Sequence, residues 1–295
     1  MLSLALIGAQ QPPPANTEVY LASLTTDARP LTGGTPLNIS NSPGYDNEPS
    51  VTPDGKSVLF VSNRGGKQTD IYRYDIATKA LTQLTHTPES EYSPLVTPDG
   101  KTFSVIRVEA DGTQRLWRFD LNGSNPRVLL ENVKGVGYQA WLDATHVAVF
   151  IVGNKDQPNT LQLADTTTST AEVIDSNPGH GLALRPHGPN AAPTLTYVCK
   201  TDPARWVVKE FDLATRKVTV IADALPGSED LAWDAVGQIL IMAKGPKVFV
   251  LDKQSKTAWT EAGDFTAAGI DHITRLAIRP GPNPRLVLVA EPVSK

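Results

Sequence analysis

Short apolar runs alternate with clusters of Gly, Pro, Asp and Asn along almost the whole chain. Between residues 45 and 85, four runs rich in β-branched and aromatic residues are separated by such clusters, at 48–51, 58–62, 71–75 and 81–85. Runs of this length and composition predict β-strands, and the residues between them predict tight turns. No stretch of 12 residues stands out with a helical period. The pattern therefore predicts antiparallel strands joined by hairpins.

The four-strand pattern repeats along the chain. The pentapeptide Thr-Pro-Asp-Gly-Lys occurs at 52–56 and again at 97–101, so that Asp54 and Asp99 are 45 residues apart. In this motif proline presets φ for a turn, and glycine supplies the positive φ that a bulged hairpin loop requires. A repeat of this length cannot bury its apolar surface alone, so neighbouring copies must stack. Each repeat is the size of one propeller blade.

Degenerate copies of the same corner follow at similar spacing. The six corners lie at 52–56, 97–101, 141–144, 184–188, 233–237 and 278–281. The last repeat has room for only two strands, and the runs at 18–24 and 36–40 match the missing third and fourth strands. The sequence thus predicts an all-β, six-bladed β-propeller with four antiparallel strands per blade. We expect the N-terminal strands to complete the last blade, which removes open sheet edges.

The first residues differ from the rest of the chain. A short apolar stretch at 2–7 is followed by small residues and then by a Pro-rich exit. This resembles the end of a secretory signal peptide without its basic start. We therefore expect residues 1–15 to be a signal-peptide remnant or a disordered tail, and residues 16–295 to form a single propeller domain. We expect export to the periplasm or secretion.

Composition narrows the classes of partner. The net charge is −4, and no run of Lys and Arg exceeds two residues, which argues against nucleic-acid binding. No apolar run reaches the length that spans a membrane. The single cysteine, Cys199, allows no internal disulfide and no thiolate metal cluster. We expect a monomer without a membrane span.

The repeat resembles that of the TolB-type (WD40-like) six-bladed propeller family. The resemblance rests on Pro49-x-Val51-Thr52-Pro53-Asp54-Gly55-Lys56, on Ile71-Tyr72 and on Leu84-Thr85, and it recurs at 94–101. It covers essentially residues 16–290 and is strongest between 45 and 130. The motif is specific for the fold but not for an activity, since such propellers include binding proteins and enzymes. The resemblance implies a periplasmic propeller that binds a protein at its channel mouth.

Residues four to eight positions before each corner should lie at the mouth of the central channel, because the preceding run is the innermost strand. These candidate site residues are Asp46, Asn47, Glu48, Glu91, Tyr92, Tyr138, Gln139, His180, Glu229, Asp230, Asp271 and His272. Six of them are carboxylates, which would repel one another if they converged. A partner that neutralises them would then be favoured.

Three interpretations of this set remain open. The acidic side chains could be solvated loop residues, screened by salt. They could receive a basic or polar peptide segment, with Tyr92 and Tyr138 as aromatic anchors. They could hold a divalent cation such as Ca²⁺, with His180 or His272, in a lactonase- or lyase-like enzyme that acts on a small sugar acid or lactone.

No catalytic motif distinguishes these interpretations. The chain contains no Gly-x-Ser-x-Gly, no His-Glu-x-x-His and no Cys-x-x-Cys. We therefore predict a non-catalytic propeller without a cofactor that binds a protein or peptide of the cell envelope at its channel mouth. The alternative is the metal-dependent enzyme.

Overall fold

The chain folds into a ring of six four-stranded antiparallel sheets. The computed structural model describes residues 16–24, 35–66, 68–187, 191–253, 258–279 and 283–292. Within these ranges there are 24 strands and one short 3₁₀ turn at Thr266–Ala268. Each sheet is one blade, as the repeats predict. The predicted all-β six-bladed propeller is therefore confirmed, whereas the expectations for residues 1–15 lie outside the described residues.

The first half of the chain contributes two N-terminal strands and three complete blades. The N-terminal strands are β1 (Glu18–Ser23) and β2 (Leu37–Asn38). Blade 1 contains β3 (Asp46–Val51), β4 (Ser57–Ser62), β5 (Asp70–Asp75) and β6 (Leu81–Gln83). Blade 2 contains β7 (Ser90–Val96), β8 (Thr102–Val108), β9 (Gln114–Asp120) and β10 (Arg127–Val128). Blade 3 contains β11 (Val136–Trp141), β12 (His146–Ile151), β13 (Thr160–Asp165) and β14 (Thr170–Ser176).

The second half contributes two complete blades and half of the sixth. Blade 4 contains β15 (Pro178–Arg185), β16 (Thr194–Cys199), β17 (Val207–Asp212) and β18 (Lys217–Asp223). Blade 5 contains β19 (Leu231–Trp233), β20 (Ile239–Lys244), β21 (Lys247–Asp252) and β22 (Thr260–Asp264). Blade 6 begins with β23 (Ile270–Arg279) and β24 (Arg285–Pro292).

The N-terminal strands complete blade 6 and close the ring. Its strand order is β2-β1-β24-β23, and β1 pairs antiparallel with β24, with Val19 opposite Val289 and Leu21 opposite Val287. At the corner side, the Nε–H of Arg279 donates to the carbonyl oxygen of Gly55 in blade 1, at 2.6 Å. The first and last segments are thus held together by a shared sheet.

Apolar side chains fill the spaces between neighbouring blades. Between blades 1 and 2, for example, Leu59 and Val61 pack with Phe103 and Phe119 in one buried cluster. Similar clusters join each of the other neighbouring pairs, including blade 6 and blade 1, whose cluster contains Val287 and Phe60. Apolar burial of this kind is the dominant favourable contribution to folding. The blades are therefore stabilised by one another, as stacked repeats require.

Two tryptophans connect successive blades by the same hydrogen bond. The indole N–H of Trp141 donates to the hydroxyl of Ser104 at 2.9 Å, and that of Trp233 donates to the hydroxyl of Thr196 at 2.8 Å. Each tryptophan ends an inner strand, and each hydroxyl lies 37 residues earlier in the second strand of the preceding blade. The repeat thus preserves a polar contact inside an apolar interface.

Most inner strands carry a β-bulge. The pairing of β3 with β4 shifts between Asn47 and Ser50, and that of β7 with β8 shifts between Tyr92 and Leu95. The bulged residues Glu48 and Ser93 have φ values of 51° and 50°, in the left-handed region. Pairing also shifts in β11, β15 and β23. Bulges redirect side chains and main-chain groups, and here they lie where the inner strands approach the channel.

Candidate functional site

All six inner strands reach one cavity at the channel mouth. The cavity measures about 110 Å³. Each inner strand, or the residue directly before it, contributes a polar side chain to its lining: Glu48, Ser93, Gln139, His180, Asp230 and Arg275. Tyr138 of β11 adds an aromatic ring. The cavity is a product of ring closure, because these residues come from repeats spread over the whole chain.

Arg275 extends across the channel from blade 6 to blade 3. Its Nη2–H donates to the hydroxyl of Tyr138 at 3.3 Å, and its Nη1 lies 2.5 Å from Nε2 of His180 and 3.0 Å from the carbonyl oxygen of Thr274. The guanidinium carbon is also 5.6 Å from the centre of the Tyr138 ring, within the range of a cation–π contact. The centre of the mouth therefore carries a positive charge.

His180 is held in one tautomer by its two neighbours. Its Nδ1 lies 3.0 Å from Oε2 of Glu229, and its Nε2 faces the guanidinium of Arg275. Because a guanidinium can only donate, Nε2 must accept and Nδ1–H must donate to Glu229. Burial and the adjacent positive charge of Arg275 lower the pKa of His180 to about 4. The imidazole is therefore neutral at neutral pH.

Glu229 forms the outer support of this histidine. Its Oε1 accepts from Nζ of Lys200 at 2.6 Å. Burial alone would raise the pKa of Glu229, but the hydrogen bonds from His180 and Lys200 lower it to about 2. Glu229 thus positions the imidazole and is itself neutralised by a lysine.

Asp230 is the acidic side chain nearest to the central guanidinium. Its Oδ1 accepts from the main-chain N–H of Leu276 at 2.8 Å, whereas its Oδ2 lies 3.9 Å from Nε of Arg275 and 3.8 Å from Nε2 of His180. Burial raises the pKa of Asp230 to about 6, against the lowering effect of Arg275. The carboxyl is therefore mostly ionised at neutral pH, with one oxygen directed toward the cavity residues.

Glu48 occupies the opposite side of the cavity. Its Oε2 accepts from the main-chain N–H and the hydroxyl of Ser93 at 2.6 and 2.8 Å. Its Oε1 accepts from the hydroxyl of Tyr45 at 3.3 Å. Burial is the main cause that raises the pKa of Tyr45 well above its usual value, and the charge of Glu48 is the second. Blade 2 is linked onward to blade 3, since Nε2 of Gln139 donates to the carbonyl oxygen of Ser93 at 2.7 Å.

The structure brings together half of the residues that the sequence singled out. Those at the cavity or directly behind it are Glu48, Tyr138, Gln139, His180, Glu229 and Asp230. Their charges do not form the expected acidic ring, because Arg275 lies among them and Lys200 neutralises Glu229. The mouth therefore combines donors and acceptors instead of concentrating negative charge.

The remaining candidates lie elsewhere. Asp46 is buried and pairs with Arg64 at 2.9 Å, and Asn47 accepts from the main-chain N–H of Glu48 at 2.7 Å. Glu91 is fully buried beside Arg107. Tyr92 packs in the apolar clusters on both sides of blade 2. Asp271 and His272 are exposed at the start of β23. None of these six lines the cavity.

Arg275 and Ser93 also line the cavity but are not among the residues expected from the sequence. Both could be located by alignment on the turn proline, because Glu48, Ser93 and Arg275 each precede a proline by five residues, at Pro53, Pro98 and Pro280. In blade 6, the positions four to eight before the corner reach back to Asp271 and His272. Since β23 has ten residues and two register shifts, its first residues are displaced from the mouth.

The mouth does not fit a divalent cation. His180 is engaged by Glu229 and Arg275 through its two nitrogens, and the guanidinium of Arg275 already supplies positive charge at the centre. Across the described ranges, no three or more His, Cys, Asp or Glu side chains are grouped so that they could hold a metal ion.

No helix in the described part of the chain is long and apolar enough to cross a membrane.

Comparisons with solved structures identify proteins of similar fold. A structure from Agrobacterium tumefaciens described as a TolB matches with a TM-score of 0.68 and 13% identity, over 95% of this chain and 99% of that one. TolB from Acinetobacter baumannii matches with a TM-score of 0.60 and 14% identity, over 94% of this chain and 64% of that one. Identities this low show a shared fold and nothing finer.

An enzyme shares the fold as well. An oligogalacturonate lyase in complex with manganese matches with a TM-score of 0.56 and 15% identity, over 87% of this chain and 80% of that one. No curated protein matches the sequence significantly. The family model of the TolB beta propeller domain, however, matches residues 15–181. This match covers more than half of the 295 residues and includes blades 1 to 3. The chain therefore belongs to the TolB beta propeller family.

Proposed function

We propose that this chain is a non-catalytic, exported propeller that binds a polar segment of a protein or peptide at its channel mouth, in the periplasm or cell envelope. The observation that carries the proposal is the cavity to which each of the six inner strands, or the residue directly before it, contributes a polar side chain. Its polar groups are fixed by one another before any partner arrives, and such preorganisation lowers the cost of binding.

The size of the cavity favours a protein segment over a small metabolite. Pockets that enclose drug-sized ligands usually measure about 300–1,000 Å³. A cavity of about 110 Å³ is closer to the volume of a single side chain. A partner that inserts one residue and spreads over the surrounding loops would use it, whereas a sugar acid would remain largely exposed.

The chemistry of the mouth also favours binding over catalysis. The side chains most suited to acid–base chemistry, His180 and Glu229, are bonded to each other and to Arg275 or Lys200. General acid–base catalysis requires that such a group be free to reach a substrate proton. Their arrangement holds Arg275 in position, which is what a recognition site requires.

The proposal can be tested with a displayed library of random peptides and purified wild-type protein. We expect selected peptides to bind the wild type, measured by calorimetry, and to lose binding to the Arg275→Met variant. The matched control is Arg205→Met, because Arg205 pairs with Asp223 at 2.8 Å on the exposed outer side of blade 4. Peptides whose affinity is the same for wild type and Arg275→Met would place the interface elsewhere.

A further inference from the structure

One donor and one acceptor lie side by side at the mouth and are not hydrogen-bonded to each other. Nε of Arg275 and Oδ2 of Asp230 are 3.9 Å apart, too far for a hydrogen bond between them. In the guanidinium, Nη1 donates to Nε2 of His180 and to the carbonyl oxygen of Thr274. Nη2 donates to the hydroxyl of Tyr138. The other oxygen of Asp230, Oδ1, accepts from the main-chain N–H of Leu276, and the carboxylate also accepts from the main-chain N–H of Leu231.

These two atoms are available to a ligand, because both residues line the cavity. An N–H and a carboxylate oxygen at this spacing form a donor–acceptor pair with one hydrogen bond to offer and one to accept. A complementary group must therefore present an acceptor beside a donor. It must also lack a full charge, because a second carboxylate would meet Asp230 and an ammonium group would meet Arg275.

A primary carboxamide meets this requirement. Its oxygen accepts, and its NH₂ group donates from the same edge. A main-chain peptide group does not, because in the trans form its C=O and N–H point in opposite directions. The size of the cavity agrees as well, because about 110 Å³ accommodates the end of one side chain. For comparison, a protein cavity of about 150 Å³ holds a benzene molecule.

We propose that the mouth selects the side-chain carboxamide of an Asn or Gln residue in its partner, whose oxygen accepts from Arg275 and whose NH₂ donates to Asp230. This inference rests on the proposed function and narrows it to one class of anchor residue. Tyr138 and Gln139 form the neighbouring wall, where the aliphatic part of the inserted side chain would pack.

The peptide selection described above tests this inference directly. Peptides that require Arg275 should share an Asn or Gln at one position. Replacing that residue by Glu or Asp in a synthetic peptide should weaken binding to the wild type about tenfold or more, because a charge-assisted hydrogen bond to Asp230 is lost and like charges meet.

The Asp230→Asn variant provides a reciprocal test. Its amide can donate to a carboxylate, so the preference of the wild type for the carboxamide peptide over the Glu or Asp peptide should shrink about tenfold or more. Asp223→Asn is the matched control, because Asp223 is exposed and pairs with Arg205 away from the mouth. It should leave the preference unchanged. The isosteric change at Asp230 preserves volume, and a thermal melt verifies that the variant is folded.

The outcomes separate the two proposals. Arg275-dependent peptides with a shared Lys, Arg, Asp or Glu anchor, or with no shared anchor, would overturn the carboxamide inference and leave the proposed function intact. An unchanged preference in folded Asp230→Asn would overturn it too. If no selected peptide depends on Arg275, the proposed function fails, and the inference fails with it.

Discussion

The carboxylate of Glu48 accepts hydrogen bonds from the main-chain N–H and the hydroxyl of Ser93, a residue that lies one repeat, or 45 positions, further along the chain. Both residues occupy the same position of their blades, at a bulge with positive φ. The bulge at Ser93 directs its N–H toward the neighbouring blade, where Glu48 meets it. One backbone irregularity thus connects two blades at the channel mouth.

Removal of this carboxylate should weaken the interface between blades 1 and 2. We expect Glu48→Ala to lower the free energy of unfolding by about 1.5–3 kcal/mol, the usual range for hydrogen bonds to charged groups. Ser93→Ala is the matched control, because it removes the hydroxyl but keeps the N–H, and it should cost about 1 kcal/mol. Urea denaturation measures both. Equal stability of Glu48→Ala and wild type would contradict a structural role for the contact.

Closure of the ring should depend on the N-terminal strands. Deletion of residues 1–40 removes β1 and β2, and it exposes the edge of β24 that pairs with β1. Open sheet edges associate with other chains. We expect the truncated protein to be insoluble or to melt without cooperativity, as seen by size exclusion and calorimetry. Deletion of residues 1–15 alone leaves β1 in place and serves as the control. A soluble 41–295 fragment with a cooperative melt would refute the closure argument.

Glu91 should make stability depend on pH. Its side chain is 0% exposed, its Oε2 lacks a hydrogen-bond partner among the described residues, and Nε of Arg107 is 3.7 Å from Oε1. Burial raises the pKa of Glu91 to about 7, although hydrogen bonds from Thr87 and Thr85 and the charge of Arg107 oppose the shift. The folded protein therefore binds this proton more tightly than the unfolded chain does.

Glu91 favours the folded state most below its unfolded pKa, and this contribution is lost as the pH rises through about 7. We expect the urea midpoint to fall between about pH 5 and pH 7 and then to level off, and to fall less in Glu91→Gln. Asp70 is near Glu91, and burial also raises its pKa. The Asp70→Asn variant therefore measures the separate contribution of Asp70 to the pH dependence of stability. Identical pH profiles for Glu91→Gln and wild type would show that Glu91 does not titrate in this range.

The charge of Arg275 should control the protonation of His180. Burial lowers the pKa of His180 to about 4, and Arg275 is the next largest cause. We expect Arg275→Met to raise that pKa, because the positive charge beside Nε2 is gone while Glu229 remains at Nδ1. An NMR titration of the imidazole signals measures the change. Arg205→Met should leave the titration as in wild type, and an unchanged pKa in Arg275→Met would place the guanidinium away from His180.

The hydrogen bond between Trp233 and Thr196 should be important for the interface of blades 4 and 5. Thr196→Val keeps the shape of the side chain but leaves the buried indole N–H without its acceptor, which costs about 1–3 kcal/mol. Thr196→Ser retains the hydroxyl and should lose less. Thermal unfolding compares the two variants. If valine is tolerated as well as serine, the contact contributes only packing.

Much of the architecture follows from local sequence. The turn motif at 52–56 and 97–101, the apolar runs between turns and the 45-residue period identify strands, blades and their number, because turn chemistry and side-chain alternation act over a few residues. The same count left the last blade two strands short and pointed to 18–24 and 36–40 as its completion. Glu48 and Gln139 were also found at the mouth by spacing alone.

The composition of the site depended on tertiary structure. Sequence spacing placed Glu91 and Asp271 at the mouth beside Glu48. The residues at the place of Glu48 in blades 2 and 6 are Ser93 and Arg275, and Glu91 and Asp271 lie two and four positions before them, so Glu91 is buried and Asp271 is exposed.

By itself, the sequence determined a six-bladed ring with polar inner strands, because each blade is specified by residues close together in the chain. Only the tertiary structure decided that Arg275 of blade 6 reaches Tyr138 of blade 3 and lies beside Asp230 of blade 5, since residues from separate repeats meet only after the ring has closed.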